Sequence, residues 1–269
     1  MYARAAVHDA LTAAVEATAE PETVRTRLAR LSDAGADLTA ASLAETLVPV
    51  LDNSRFLTTW LNKHPTAVAD LADVDALRTP IDAALLRAWF DEALEGDDET
   101  AVATALRRMK HRAFVRITAR DVALQAPVPE TCRELSAVAD VALEAATDFA
   151  RRAVDARHGP ALDASGARIA FCVLAMGKLG GRELNYSSDV DLLYFYGTDD
   201  GAPGELTPHE HFRRVCERIT RLVGQVGPEG LVFRVDLRLR PEGRSGPLCN
   251  ALASAERYYE TWGDRKSVV

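Results

Sequence analysis

From Tyr2 to about Ala156 the apolar residues recur at helical spacing, and prolines punctuate the runs. Leu135, Val138, Ala139, Val141, Leu143, Ala146, Phe149 and Ala150 fall on one side of a single long helix between Pro129 and His158. Ala and Leu, abundant here, are strong helix formers, and Pro21, Pro49, Pro65, Pro80, Pro127 and Pro129 are expected at helix boundaries. The acidic run Glu95-Gly96-Asp97-Asp98-Glu99 reads as a solvated loop leading into a helix near 100–117. Residues 1–157 are therefore expected to form a helical domain.

The pattern changes after His158-Gly159-Pro160. Ile169 to Met176 is a short, dense apolar run, as in a buried strand. Val190 to Tyr196 is a second strand, and Gly177-Lys178-Leu179-Gly180-Gly181 makes a turn between them. An amphipathic helix follows, with Phe212, Val215, Cys216, Ile219, Leu222, Val223 and Val226 on one stripe, stopped by Gly227-Pro228. From Leu231 to Arg240 apolar and charged residues alternate, which predicts a third strand. Leu231, Phe233, Val235, Leu237 and Leu239 would face one way, and Arg234, Asp236, Arg238 and Arg240 the other. Residues 158–269 thus read as a small sheet with flanking helices, and the chain as α+β.

Length and composition narrow the function. At 269 residues the chain has room for about two domains with a buried core. Apolar content of 48% with 27% charged residues is that of a globular protein. A formal charge of −8 argues against a nonspecific nucleic-acid binder. No apolar run approaches about 18 residues and no signal-peptide layout is present, so a cytoplasmic protein without a membrane span is expected. Cys132, Cys172, Cys216 and Cys249 show neither zinc nor disulfide spacing; Cys172 and Cys216 are expected in the core.

The candidate chemistry lies in Ser187-Ser188-Asp189-Val190-Asp191-Leu192. On a strand the period of two sends both carboxylates to one face and Val190 and Leu192 to the other. Two carboxylates so close repel unless a cation lies between them, and hard oxygen ligands suit Mg²⁺ with substrate phosphates. A glycine turn upstream can bring backbone N–H groups against a phosphate. Asp236 can complete the metal shell, and the flanking arginines can clamp phosphate oxygens. Each element also has a plainer reading. Asp-x-Asp fits a solvated strand edge, Lys178 a solvated lysine, Ser187 and Ser188 the end of a turn, and Arg238 and Arg240 surface ion pairs. Tyr194 and Tyr196 are expected to pack, His209 and His211 to be solvated, and no serine or cysteine shows a nucleophilic triad.

Glycine pair, Asp-x-Asp and later strand carboxylate together resemble the polymerase-β-like nucleotidyltransferases. The wording from Gly177 to Leu192, and Arg234-Val235-Asp236-Leu237-Arg238-Leu239-Arg240-Pro241 followed by Gly243-Arg244-Ser245-Gly246-Pro247-Leu248, resembles the bifunctional glutamine synthetase adenylyltransferase/adenylyl-removing enzymes. The likeness spans roughly residues 50–263, including Leu106-Arg107-Arg108 through Leu135-Ser136.

That resemblance implies a nucleotidyltransferase catalytic domain at 158–269. Asp189, Asp191 and Asp236 would be catalytic and hold one or two Mg²⁺; Gly180, Gly181, Lys178, Ser188, Arg238 and Arg240 would bind nucleotide or phosphate. It implies glutamine synthetase as protein substrate, phosphate with ADP or ATP, and a PII regulatory protein as a further partner. The Arg234-Val235-Asp236 strand and the Ser245–Leu248 stretch are more similar to the N-terminal half, which removes AMP by phosphorolysis. ATP-dependent adenylylation is the enzymatic alternative, and an inactive docking module the alternative of another class. After Tyr258-Tyr259-Glu260-Thr261-Trp262-Gly263 the wording departs from the family pattern, as expected of a truncated fragment.

Overall fold

The computed structural model describes residues 2–201 and 204–266. The helical part comprises α1 (Tyr2–Glu16), α2 (Pro21–Asp33), α3 (Leu43–Asn53), α4 (Arg55–Lys63), a 3-10 turn (Pro65–Leu71), α5 (Val74–Arg78), α6 (Ala83–Ala93), α7 (Glu99–Val122) and α8 (Val128–His158). Next come β1 (Phe171–Met176), α9 (Gly177–Gly180), β2 (Val190–Tyr196), α10 (Pro208–Gly224), β3 (Val235–Asp236), β4 (Asn250–Ala251) and α11 (Leu252–Lys266). The architecture is α+β. The end of the divergent tail, 267–269, lies outside the described residues. The chain divides into two compact units, Met1–Glu92 with Arg108–Val138, and Ala93–Arg107 with Ala139–Val269. The division falls within α7 and α8, whereas the change of sequence pattern at 157/158 comes at the end of α8.

In the first unit short helices are started by side-chain caps. Ser54 Oγ accepts from the Leu57 N–H at 3.2 Å, and Asp73 Oδ1 from the Ala76 N–H at 3.0 Å. Val24, Leu31, Leu47, Leu51, Leu61, Leu71, Leu77 and Leu86 are buried between the helices. The link from α5 to α6 is tied down by buried arginines. Arg116 donates to the Ala76 and Thr79 carbonyls, both at 2.7 Å, and Arg120 to the Leu77 carbonyl. Glu134 completes the network, accepting from Arg120 Nε at 3.0 Å and from the Ile81 N–H at 2.7 Å. Pro49 is no boundary: it lies inside α3, where buried Leu47, Val48, Val50 and Leu51 outweigh one missing backbone hydrogen bond.

In the second unit the acidic loop is exposed from Glu95 to Asp98, and Asp98 Oδ1 caps the following helix through the Ala101 N–H at 2.8 Å. β2 is the central strand. β1 pairs with it antiparallel along 191–196, and the short β3 and β4 pair parallel with its two ends. α10 starts in a reciprocal capping box between Thr207 and Glu210. Its buried Phe212 stacks on Phe171 and Tyr196 at ring distances of 5.3 and 5.1 Å. Tyr194 and Tyr196 are packed as expected, with the Tyr194 hydroxyl 3.1 Å from Thr220 Oγ1.

Several expectations need correction. β1 is not the buried strand expected: Phe171, Val173 and Ala175 are half-buried on one face and Cys172, Leu174 and Met176 exposed on the other, so Cys172 is not a core residue. Val226 lies beyond α10 and is 70% exposed. The alternating run 231–240 is not one strand: only Val235 and Asp236 pair, and the chain then turns. Its neighbour there is two residues of β2, too short a partner to hold ten residues extended. His211 is buried rather than solvated, its Nε2 3.3 Å from Asp155 Oδ1, and burial lowers its pKa.

Candidate active site

The parallel register sets the site. It places Asp191 beside Asp236, and the antiparallel register places Met176 across from Asp191. Burial alternates only where β2 begins: Val190 and Leu192 are buried, Asp191 is half-buried, and Asp189 is exposed just before the strand, whereas Leu193 beyond them is buried as well.

The glycine corner is shaped around Asp191. Gly177 has φ +56°, and a Cβ there would lie 2.5 Å from Asp191 Oδ2. Any side chain would both strain the backbone and displace the carboxylate. Sequence reasoning weighed Gly180 and Gly181 and passed over Gly177. At Gly180 a Cβ would meet the Ala175 carbonyl at 2.7 Å, so the corner itself demands glycine. Gly181 has only ordinary contacts at 3.6 Å, and its N–H donates to the Gly177 carbonyl at 3.0 Å. Lys178 is exposed on α9.

Asn185 was another residue missed. Its Oδ1 accepts from Ser188 Oγ at 2.8 Å and from the Ser187 N–H at 3.2 Å. Ser188 Oγ accepts in turn from the Asn185 N–H at 3.1 Å. This is a side-chain-closed turn delivering the chain into β2, and its signal was the Asn-x-Ser-Ser wording. Ser188 is thus engaged in the turn.

The arginines are placed unlike the expected row of phosphate clamps. Arg234 bridges Asp189 and the Ser187 carbonyl, while its own carbonyl accepts from the Val190 N–H at 2.8 Å. Arg238 grips Asp236, Nε lying 2.7 and 3.0 Å from the two carboxylate oxygens. Nη2 also donates to the carboxylate, and the Arg238 backbone N–H adds a further bond at 2.8 Å. Arg240 points back into the turn, donating to the Leu237 carbonyl at 2.7 Å and more weakly to the Arg244 and Gly246 carbonyls.

Electrostatics follow this arrangement. Arg238 lowers the pKa of Asp236. Asp191 is shifted upward, by partial burial first and then by the charges of Asp236 and Asp189. Among the described residues no three His, Cys, Asp or Glu side chains are grouped as a bound metal requires. The donor set is nonetheless chemically that of a hard divalent ion: three carboxylates, with Asp191 and Asp236 side by side on adjacent strands and Asp189 two residues ahead.

With this geometry in hand, comparison with known proteins is informative. The family model of glutamate-ammonia ligase adenylyltransferase matches residues 44–265. The chain belongs to that family. It is 35% identical over 252 residues to the bifunctional glutamine synthetase adenylyltransferase/adenylyl-removing enzyme of Thioalkalivibrio sulfidiphilus, covering 90% of this chain and 26% of the relative. The enzyme of the same name from Burkholderia pseudomallei is 38% identical over 192 residues, with 68% and 21% covered. That of Pseudomonas aeruginosa is 37% identical over 215 residues, with 78% and 22% covered. The chain therefore spans about a quarter of the length of the curated relatives it matches. No helix among the described residues is long and apolar enough to cross a membrane.

Proposed function

We propose that this chain carries the adenylyl-removing site of its family: phosphorolysis of adenylyl-tyrosine on glutamine synthetase, releasing ADP. The observation that carries this reading is the pairing of Asp191 with Asp236 on adjacent strands, with Asp189 two residues ahead. In the reaction an oxygen of inorganic phosphate bonds to the AMP phosphorus, the bond from phosphorus to the tyrosyl oxygen breaks, and the phenolate takes a proton from water. Asp189, Asp191 and Asp236 would hold Mg²⁺, which when bound supplies charge neutralisation at the phosphoryl group and the departing phenolate. Lys178, Arg238 and the Gly180-Gly181 corner supply cationic and backbone groups for phosphate. Phosphate is already anionic, so no strong general base is required of the chain. The Arg234-Val235-Asp236 wording supports the removing over the transferring direction.

The test uses adenylylated glutamine synthetase, Mg²⁺ and labelled inorganic phosphate. Label is expected in ADP with wild-type chain and not with Asp191→Ala. Label in neither, with incorporation of AMP from ATP instead, would assign the opposite direction. Unaltered phosphorolysis in Asp191→Ala would remove the site.

A further inference from the structure

We propose that Arg234 and Arg238 are exchangeable cations: each guanidinium holds a carboxylate of the site until a divalent ion arrives, then turns to the substrate's phosphate. This rests on reading Asp189, Asp191 and Asp236 as the metal ligands. The two arginines sit on two of those three carboxylates, Arg234 on Asp189 and Arg238 on both oxygens of Asp236. Every carboxylate lone pair directed at a guanidinium is one a metal ion would need. The same side chains are the fork-shaped donors that match a phosphate.

Exposure makes the exchange feasible. The Arg234 and Arg238 side chains are 61% and 64% exposed, so their ion pairs lie open to water. Ion pairs in water are weak and easily remade. Arg240 shows the contrast. It is half-buried and tied to backbone carbonyls of its own turn, so it is excluded from the exchange. The consequence is coupling: phosphate that draws the arginines away frees metal ligands, and metal that displaces the arginines frees phosphate clamps. By linkage each ligand strengthens the other by the same factor.

The experiment titrates the chain with Mn²⁺, followed by electron paramagnetic resonance, without nucleotide. Removing a guanidinium that competes for a ligand should tighten Mn²⁺ binding, so Arg238→Gln and Arg234→Gln are each expected to improve it roughly threefold to fivefold. Both should weaken binding of inorganic phosphate to the Mn²⁺-loaded chain. The control is Arg244→Gln. Arg244 acts on Asp236 through charge, whereas Arg238 hydrogen-bonds the carboxylate. A change below about twofold is expected there. Equal tightening by Arg244→Gln would show a general charge effect and overturn the proposal. Unchanged or weaker Mn²⁺ binding in Arg238→Gln would overturn it too. If wild-type chain binds no Mn²⁺ and Asp189→Asn changes nothing, the metal reading itself falls, an outcome distinct from failure of the exchange. Circular dichroism of each variant checks that it is folded.

Discussion

In the helical unit the Arg120 and Glu134 side chains are 3% and 2% exposed, whereas in the sheet unit those of Arg234 and Asp189 are 61% and 45% exposed. Both are arginine–carboxylate pairs, yet their surroundings give them opposite roles. Glu134 also accepts from the Ile81 N–H, and Arg120 also donates to the Leu77 carbonyl, so each group depends on the others for satisfaction. Breaking that pair leaves the Ile81 N–H buried without its acceptor and takes from buried Arg120 one of its two carboxylates, Glu130 being the other. At the aspartate site water can replace either partner at little cost. The buried pair fixes a chain segment; the exposed pairs leave the site free to change partners.

Four measurements test that contrast, beginning with the largest effect. Glu134→Ala should destabilise the helical unit by about 3 kcal/mol, because the buried Ile81 N–H loses its acceptor and buried Arg120 loses one of its two carboxylates. Urea unfolding followed by the fluorescence of Trp60 and Trp89 reads it directly. A loss below about 1 kcal/mol would mean that burial does not distinguish the two networks.

Lys110 sharpens the comparison with the opposite sign. Its ammonium lies 4.4 Å from the Phe114 ring centre and 5.7 Å from that of Phe56, and burial lowers its pKa from 10.5 to about 8. Because the folded value is depressed, the charged form costs stability in full below pH 8. That cost fades as pH rises from about 8 to about 10.5, where the unfolded lysine also loses its proton. Lys110→Met should therefore stabilise the unit by up to about 3 kcal/mol at pH 7 and by progressively less at alkaline pH. A gain independent of pH would refute the charge argument.

Next comes Thr207→Ala, which removes the capping box of α10 and should cost about 1 kcal/mol in thermal unfolding of the sheet unit. The smallest effect is expected at the aspartate site. Arg234→Gln should change stability by less than about 1 kcal/mol while changing ion binding severalfold. A stability loss as large as that of Glu134→Ala would make Arg234 a structural residue and end the contrast.

How much of this was legible depended on how local the cause was. α10 could be read because the stripe from Phe212 to Val223 and the Thr207–Glu210 cap are properties of consecutive residues. α8 was visible for the same reason. The run 231–240 misled because its alternation is equally local but has only two residues of β2 to pair with. Cys172 and His211 were misjudged because burial is set by what lies opposite: the outer face of β1 is exposed, whereas Asp155 reaches His211 from α8.

The sequence alone therefore determined the family, the α+β class and the position of the long helices. Those depend on residue type and short-range periodicity, which the chain carries at every stage of folding. Only the tertiary structure decided that Asp191 stands beside Asp236, that Gly177 makes room for its carboxylate, and which arginine holds which aspartate. Pairing between strands 45 residues apart, like Val190 with Val235, is a long-range choice among many near-equal registers.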